Sequence, residues 1–419
     1  MSKLIIDGGY RLNGEVRVHG AKNSALPVLT ATLLCPGVNI IHNCPKLSDV
    51  EATLKILTHL GCKCHREQDT VVVDSSDIVN CDIPDELMRE MRSSIVFLGA
   101  IAARCGYAKL SSPGGCELGP RPIDLHLSSL RQMGLVIDES HGYLECTVEK
   151  SLVGTEINLS LPSVGATENI MLAATTAKGK TVIHNAAREP EISDLADFLN
   201  SAGACIHGAG TGTIEIIGVD PKTMHGTEHT VIPDRIIAAT YMAAAAITRG
   251  CVVLKDIIPS HIAPVLSSFK EAGCDINIWD RTLKITAPPQ LGRIRQIRTL
   301  PFPGFPTDAG PPVLAMTTIA NGSSMFVENV FENRFKYVDE LKRLGAVISV
   351  SGRVAVVDGV KSLSGASVVA TDLRGGAALV VAGLAAQGTT TIDEIRHIDR
   401  GYENIELSLS SLGAKIKRE

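Results

Sequence analysis

Basic residues recur at one position of a repeated pattern in this sequence. Counting back 14 or 15 residues from six regularly spaced glycines reaches Lys22, Arg92, Gly165, Arg235, Asp308 and Arg374. These positions fall near the expected starts of Ala-rich helices, where a basic side chain opposes the helix dipole unless an anion binds to the free N–H groups. We therefore predict an anion site shared by these helix starts. For any single residue, a solvated side chain at a helix end is the alternative.

A second candidate for chemistry is the segment 111–122, which reads SSPGGCELGPRP. Three prolines and three glycines in twelve residues exclude a helix or a strand, and the length suits a mobile lid. Cys116 lies inside this segment and is therefore expected to be accessible. Arg121 favours its thiolate form, whereas Glu117 opposes it. We predict that Cys116 is the reactive cysteine of the chain; an inert surface thiol is the alternative.

Other familiar site patterns are weak or missing. Cys62, Cys64 and His65 lie close together, but their C-x-C spacing without a second pair is not that of a zinc site. The glycine-rich stretches contain neither a P-loop nor a G-x-G-x-x-G sequence after a strand, so ATP and dinucleotides have no motif. We expect no bound metal.

The elements that position these residues are predicted by two phrases, each occurring six times. One phrase, of the type Leu-x-x-Leu-Gly, ends at Gly61, Gly134, Gly203, Gly273, Gly345 and Gly413. The other, a small apolar run, ends at Gly37, Gly106, Gly179, Gly250, Gly322 and Gly388. A glycine after the last periodic apolar residue is typical of a helix end, and β-branched runs such as 70–73, 180–183, 251–254 and 389–392 predict strands. We therefore predict six units of helix, strand, helix, strand, strand.

The predicted helices indicate the architecture. Segments such as 238–248 (AATYMAAAAIT) have no wide polar face, which is typical of a buried helix. We therefore expect helices inside and strands outside, in two similar domains of three units each. That number agrees with about two to four domains for 419 residues. A long α/β solenoid is the alternative.

Composition limits the partners and the compartment. Forty Lys and Arg against 45 Asp and Glu, a net charge of −5, argue against a general binder of nucleic acid or anionic membranes. Aromatic residues make up 4%, too few to build stacking surfaces for single strands. Eleven scattered cysteines and no signal-peptide pattern favour free thiols in the cytoplasm. The longest apolar stretches, 236–248 and 375–386, are too short to span a bilayer.

Seven motifs together carry a resemblance to a known family. They are HGAKNSALP at 19–27, PGGC-x-x-GPRPID at 113–124, PSVGATENIM at 162–171, GFPTD at 304–308, VFENRF at 330–335, ATDLR at 370–374 and HIDRGYE at 397–403. Because it has all of these motifs in this order, the chain closely resembles the UDP-N-acetylglucosamine 1-carboxyvinyltransferase family of enolpyruvyl transferases. The resemblance runs from end to end.

The resemblance implies an α/β fold of two inside-out, barrel-like domains, with an active site in the cleft between them. Residues 20–229, including the lid at 111–122, would form the first domain, and residues 1–19 plus 230–419 the second. The implied reaction moves the enolpyruvyl group of phosphoenolpyruvate to the 3-hydroxyl of UDP-N-acetylglucosamine through a tetrahedral ketal and releases phosphate. This step begins peptidoglycan synthesis and needs no cofactor.

Site residues are carried over from the same motifs as expectations. Contacts to phosphoenolpyruvate are implied for Lys22, Asn23, Arg121 and Arg400, and Cys116 matches the proton donor of the lid. Contacts to the UDP-sugar are implied for Arg92, Arg121, Pro122, Ile123, Asp124, Leu125, Ser163, Val164 and Gly165. Asp308 matches the base for the 3-hydroxyl, Val330 a second contact on the sugar side, and Arg374 a basic residue that faces the cleft.

Two positions depart from the family pattern. Asp308 is followed by Ala309-Gly310-Pro311-Pro312, where members commonly have Met-Gln-Ala-Gln. Leu161 stands where some members have a lysine, so one cation for the diphosphate is missing. Two prolines suit the first turn of a helix but alter how Asp308 is aimed.

Two other functions stay open at this point. A non-catalytic UDP-sugar-binding paralogue is consistent with the altered segment after Asp308. 5-Enolpyruvylshikimate-3-phosphate synthase shares the family fold, but the chain lacks its Ser-Lys-Ser signature and has Ala21-Lys22-Asn23 instead.

Overall fold

The fold consists of six small sheets and the helices that they cover. The computed structural model describes residues 2–90, 94–111 and 123–419. Within these residues the helices are α1 (Lys22–Ala31), α2 (Ser48–Leu60), α3 (Asp85–Glu90), α4 (Phe97–Cys105), α5 (Asp124–Gln132), α6 (Val164–Ala174), α7 (Pro190–Ser201), α8 (Arg235–Ile247), α9 (Pro259–Glu271), α10 (Gly310–Thr317), α11 (Val338–Arg343), α12 (Leu373–Ala385) and α13 (Ile405–Ser411).

The strands of the first half of the chain are β1 (Leu4–Asp7), β2 (Asn13–Arg17), β3 (Val38–His42), β4 (Lys63–Glu67), β5 (Thr70–Asp74), β6 (Asp82–Ile83), β7 (Tyr107–Ser111), β8 (Leu135–Ser140), β9 (Tyr143–Val148), β10 (Glu156–Asn158), β11 (Lys180–His184) and β12 (Cys205–His207). The second half contains β13 (Thr213–Ile217), β14 (Glu228–Thr230), β15 (Cys251–Lys255), β16 (Asp275–Trp279), β17 (Thr282–Thr286), β18 (Gln296–Arg298), β19 (Ser323–Val327), β20 (Val347–Ser351), β21 (Val354–Asp358), β22 (Ser367–Val369), β23 (Thr389–Asp393) and β24 (Lys415–Arg418).

The described residues divide into two compact units. Unit A contains residues 20–90, 94–111 and 123–232, and unit B contains residues 2–19 and 233–419. Each unit has three four-stranded sheets and a hydrophobic core of its own. The sheets of unit A have the strand orders β14-β3-β5-β4, β6-β7-β9-β8 and β10-β11-β13-β12; those of unit B have the orders β16-β17-β15-β2, β18-β19-β21-β20 and β22-β23-β1-β24.

The predicted unit of helix, strand, helix, strand, strand is confirmed, with one addition. In each of the six repeats, a short strand pairs in parallel with the first strand, as β10 does with β11 and β18 with β19. The sixth repeat closes differently. There β1 takes the position that the last strand of the repeat has in the other sheets, and it pairs with both β23 and β24.

The prediction of helices inside and strands outside is also confirmed. Every residue of α8 after Arg235 is buried, and every residue of α12 from Arg374 to Leu384 is buried. The strands instead alternate, as in β13, where Ile214 and Ile216 are buried between exposed neighbours. None of the helices in the described part of the chain combines the length and apolarity needed to cross a membrane.

The repeated glycines end the helices for two different physical reasons. All six glycines of the Leu-x-x-Leu-Gly phrase have positive φ, between 89° and 115°, as predicted. Gly250, in the second set, does not adopt the left-handed conformation. A Cβ atom there would lie 2.2 Å from the carbonyl oxygen of Leu12, so the small side chain is needed for close packing of the backbone against β2.

Candidate active site

A carboxylate held by two buried arginines lies in unit B. Asp308 Oδ1 accepts a hydrogen bond from Arg334 Nη2 at 2.8 Å, and Asp308 Oδ2 lies 3.3 Å from both Nε and Nη2 of Arg374. Each arginine is 2% exposed. Two guanidinium groups at this range favour the ionised carboxylate and fix its orientation. The structure therefore brings two of the predicted site residues, Asp308 and Arg374, into direct contact.

The segment after Asp308 is compatible with this geometry. Asp308 lies in a short 3-10 helix, Thr307–Ala309, and Gly310, Pro311 and Pro312 form the buried first turn of α10. Proline has no N–H to donate, which costs nothing in a first turn, where the N–H groups have no acceptor within the helix. The two prolines thus begin α10 without displacing Asp308 from Arg334 and Arg374.

Glu328 organises the loop that carries Val330. Its carboxylate accepts hydrogen bonds from the backbone N–H groups of Val330 and Phe331 at 2.7 and 3.0 Å, and from the hydroxyl of Thr307 at 2.9 Å. Glu328 is 3% exposed, whereas Val330 is 45% exposed. The loop is therefore tied to the segment of Asp308 while the Val330 side chain remains available to a ligand.

Arg374 is charged although it is buried. Burial alone would lower the pKa of its guanidinium, but the oxygens of Tyr402 and Asp308 raise that pKa above the ordinary arginine value. The guanidinium also lies 5.4 Å from the centroid of the Tyr402 ring. Within the described residues, Nη1 of Arg374 has no hydrogen-bond partner. A buried donor without a partner is uncommon in a folded protein, so this nitrogen sets Arg374 apart from the other buried side chains.

At the starts of α8 and α12, the expectation that backbone N–H groups are free to bind an anion is wrong, whereas binding by the side chains of Arg235 and Arg374 stays a prediction. Asp234 caps α8 by accepting from the N–H groups of Ile236 and Ile237. Asp372 caps α12 in the same way, with Arg374 N at 3.0 Å and Gly375 N at 2.9 Å. Because these carboxylates occupy the N–H groups, an anion cannot bind there through the backbone.

Unit A presents its candidate residues at the starts of α1, α5 and α6. Lys22 is the first residue of α1 and is followed by Asn23. The ammonium group of Lys22 lies 3.0 Å from Asp49 Oδ2, and the side chains of Lys22 and Asp49 are buried. Ser163 caps α6 with a neutral hydroxyl that accepts from Ala166 N at 3.3 Å. Val164 and Gly165 form the first turn of α6, Ile123 precedes α5, and Asp124 and Leu125 begin it.

The remaining predicted residues are placed as follows. Arg400 is the last, half-buried residue of a 3-10 helix, Ile395–Arg400, in unit B. Leu161 is 57% exposed just before α6. Ser111, the first residue of the predicted lid, is the last residue of β7, so the expectation that the whole segment 111–122 excludes a strand is wrong at this residue. The rest of the lid, with Cys116, Arg121 and Pro122, and the predicted sugar contact Arg92 lie outside the described residues.

Several of the other cysteines are poor nucleophiles. All ten described cysteines are free thiols. Burial raises the pKa of Cys44, Cys62, Cys146 and Cys274 to about 12, so few of these thiols are ionised at neutral pH. Among the described residues no group of three His, Cys, Asp or Glu side chains is placed to hold a metal ion.

Several charged residues of these sites were not singled out from the sequence. Arg334 lies in the motif at 330–335, yet its contact with Asp308 depends on packing. Glu168 of α6 is buried, with 7% exposure, and burial, followed by repulsion from Glu191 and Glu189, raises its pKa well above the ordinary glutamate value. Only a polar residue on an otherwise apolar helix face hints at such a group in the sequence.

Comparisons with known proteins place the chain among enolpyruvyl transferases. The model of the family described as EPSP synthase (3-phosphoshikimate 1-carboxyvinyltransferase) matches residues 6–409. UDP-N-acetylglucosamine 1-carboxyvinyltransferase 2 of Caldanaerobacter subterraneus is 54% identical, covering 100% of both chains. UDP-N-acetylglucosamine 1-carboxyvinyltransferase of Finegoldia magna is 48% identical over 100% of this chain and 99% of the relative.

Solved structures show the same fold. The enolpyruvyl transferase NikO from Streptomyces tendae superposes with a TM-score of 0.90 at 26% identity, covering 100% of this chain and 98% of its own. EPSP synthase from Acinetobacter baumannii has a TM-score of 0.78 at 19% identity, with 100% of both chains covered. With a family model matched over nearly the whole chain and relatives about half identical from end to end, this protein belongs to the enolpyruvyl transferase family.

Proposed function

We propose that the protein transfers the enolpyruvyl group of phosphoenolpyruvate to the 3-hydroxyl of UDP-N-acetylglucosamine and releases phosphate. The observation that carries this proposal is the 47–54% identity, over essentially the whole chain, to five relatives that all bear the name UDP-N-acetylglucosamine 1-carboxyvinyltransferase. The reaction would begin peptidoglycan synthesis. Free thiols at all ten described cysteines suit a reducing compartment, so we place the protein in the cytoplasm.

In the proposed mechanism, Asp308 takes the proton from the 3-hydroxyl as the hydroxyl oxygen attacks C2 of phosphoenolpyruvate, which protonation at C3 has made electrophilic. Arg334 and Arg374 keep the Asp308 carboxylate ionised and aimed, at some cost in basicity. A weak base is sufficient if proton removal accompanies bond formation, because the hydroxyl becomes more acidic as it attacks. Val330 contributes an apolar contact on the sugar side.

Protonation of the enol and binding of the phosphate need different groups. Cys116 donates the proton to C3 of phosphoenolpyruvate, which leaves an oxocarbenium-like centre at C2 for the attack and gives the tetrahedral ketal. Loss of a proton from C3, as the bond between C2 and the phosphate oxygen breaks, then restores the enol double bond and releases phosphate. Lys22, Arg121 and Arg400, with Asn23, hold the phosphate and carboxylate, since the charge that develops must be matched by preorganised cations. The UDP-sugar is bound by Arg92, by residues 121–125 and by Ser163, Val164 and Gly165. A closing lid at 111–122 would exclude water.

The test is release of phosphate by the purified full-length protein from phosphoenolpyruvate and UDP-N-acetylglucosamine. Shikimate 3-phosphate serves as the alternative acceptor, and we expect no release with it. Cys116→Ser should lower turnover about a hundredfold or more, because it removes the proton donor. Cys205→Ser, a change at a partly exposed thiol of β12, is the matched control and should leave turnover unaltered. Folded protein that binds the UDP-sugar without releasing phosphate would instead identify a non-catalytic paralogue.

A further inference from the structure

Asp194 of α7 is a buried carboxylate that contacts three other segments of unit A. The residue is 3% exposed. Its Oδ2 atom accepts a hydrogen bond from the hydroxyl of Ser24, which is fully buried in α1, and a longer one of 3.4 Å from the backbone N–H of Ile232. Its Oδ1 atom lies 2.9 Å from Nε2 of His229 in β14, so this ring nitrogen is assigned the hydrogen. One side chain therefore links α7 to α1, to β14 and to the residues after β14.

The contacts of Asp194 reach the start of α1 by two routes. The direct route is the Ser24 hydroxyl. The second route passes through Ile232, whose carbonyl accepts from the backbone N–H of Ala21 at 2.7 Å. The carbonyl of Ala21 in turn accepts from the N–H of Ser24 at 3.1 Å, which joins the two routes within the first turn of the helix. Asp194 thus fixes this turn at both of its ends.

The turn that Asp194 fixes carries two residues of the proposed phosphoenolpyruvate site. Lys22 and Asn23 lie between Ala21 and Ser24, at the first two positions of α1. Ala21 is the N-cap residue, and alanine has no side-chain oxygen with which to accept from the N–H groups of the turn. The usual stabilisation of a helix start is therefore missing here, and the contacts from α7 take its place.

We propose that Asp194 is a positioning residue for the transfer reaction, which acts through Ser24 to fix the first turn of α1 and, with it, Lys22. The inference rests on the proposed function, since it concerns the groups that would bind phosphoenolpyruvate. Cations stabilise developing charge best when their positions are set in advance, and a displacement of about 1 Å can cost roughly a hundredfold in rate. A buried carboxylate is also costly unless donors surround it, and Asp194 has three.

Steady-state kinetics of Ser24→Ala measure the direct route. The variant loses the hydroxyl but gains a residue that favours helices, so the fold should be kept. We expect the KM for phosphoenolpyruvate to rise roughly three- to tenfold, whereas the KM for UDP-N-acetylglucosamine should change little. Thr30→Val is the matched control, because it removes another fully buried hydroxyl from the last turn of α1. An unchanged KM for phosphoenolpyruvate in Ser24→Ala overturns the role.

Two variants at Asp194 test the carboxylate itself. Asp194→Ala removes both acceptor oxygens, and the KM for phosphoenolpyruvate should rise roughly ten- to hundredfold. Asp194→Asn retains one acceptor oxygen and should recover part of this loss. A carboxylate that only stabilises the fold would lower the melting temperature without changing the ratio of the two KM values, and that result overturns the proposal. If Asp194→Ala does not fold, Ser24→Ala decides between the two roles.

Hydrogen exchange of the protein without substrates separates this inference from the proposed function. The backbone N–H groups of residues 24 and 25 both donate to the carbonyl of Ala21. In Ser24→Ala they should exchange roughly tenfold faster than in wild-type protein, whereas Thr30→Val should leave their rates unaltered. Equal rates in Ser24→Ala and wild-type protein overturn the inference. Faster exchange in Ser24→Ala, combined with no phosphate release by wild-type protein, would overturn the proposed reaction and leave the contact between Asp194 and the α1 start standing.

Discussion

The starts of α6 and α12 occupy the third repeat of their respective units, yet their chemistry is opposite. The α6 start is capped by the neutral hydroxyl of Ser163, and its buried ionisable residue, Glu168, is an acid. The α12 start is capped by the carboxylate of Asp372. Its buried ionisable residue, Arg374, is a cation paired with Asp308.

This difference shows how one repeated fold can supply two kinds of site. Each repeat contains a buried helix, and the first turn of that helix falls at the same point of the repeat. A neutral cap leaves the positive end of the helix dipole available to an anion, whereas a carboxylate cap neutralises it. Unit A is therefore suited to hold phosphate groups at the α6 start. Unit B instead offers side-chain charges, the carboxylate of Asp308 and the guanidinium groups around it.

The largest expected effect comes from breaking the charge set of unit B. Asp308→Asn keeps the shape but removes the base, so kcat should fall by about 10²–10³; because it also removes the negative charge that two buried arginines face, the melting temperature should fall as well. Phosphate release and thermal unfolding measure the two quantities. Asp339→Asn, at an exposed carboxylate of α11, is the matched control. Near-normal turnover of Asp308→Asn would remove Asp308 from the chemistry.

The buried acid of unit A should make stability depend on pH. The folded pKa of Glu168 lies well above its unfolded value, so the folded protein holds a proton that the unfolded chain has lost. The free energy of unfolding should therefore fall as pH rises above about 4.5, through the folded pKa, by up to about 1.4 kcal/mol per pH unit. In Glu168→Gln this part of the slope should disappear; urea unfolding at several pH values measures it. Identical slopes in both proteins would contradict the account, and the exposed Glu149→Gln is the control.

A glycine pair tests whether the two units are equally packed despite their different chemistry. A Cβ atom at Gly218 of unit A would lie 1.6 Å from the carbonyl oxygen of Ala177, and one at Gly359 of unit B 1.6 Å from that of Ala320. Each change to alanine should cost about 2–3 kcal/mol of unfolding free energy, because the backbone must move. Gly310→Ala, with no atom within 4 Å of its Cβ position, should cost much less. Unequal costs at the pair would show that the repeats are not packed alike.

The smallest expected effect distinguishes the two caps. Asp372→Ala removes an acceptor that serves two N–H groups and should cost about 1–2 kcal/mol of unfolding free energy. Ser163→Ala removes one hydrogen bond of 3.3 Å and should cost about 0.5–1 kcal/mol. Chemical denaturation measures both. Asp372→Asn, which retains the acceptor oxygen, should lose less than Asp372→Ala; an equal loss would contradict the capping role.

Much of the fold was predictable because its signals are local. A helix that ends at Gly61 or Gly413 is encoded by the apolar spacing before the glycine and by the left-handed conformation that glycine permits. The same reasoning found the strands at 70–73 and 389–392, which form β5 and β23. The domain limits stay predictions. The roles of the site residues also stay predictions, since they concern bound ligands that local spacing does not reveal.

What the sequence alone determined is thus the sixfold repeat, its elements and the family. Only the tertiary structure decided that β1 completes the sixth sheet, that carboxylates cap α8 and α12, and that Arg334 meets Asp308. The physical reason is distance along the chain. Helix ends and strands depend on neighbours within about a dozen residues, whereas Asp308 and Arg374 are 66 residues apart and Ser24 and Asp194 are 170 apart. Contacts of that kind exist only once the helices and strands within a unit have packed together.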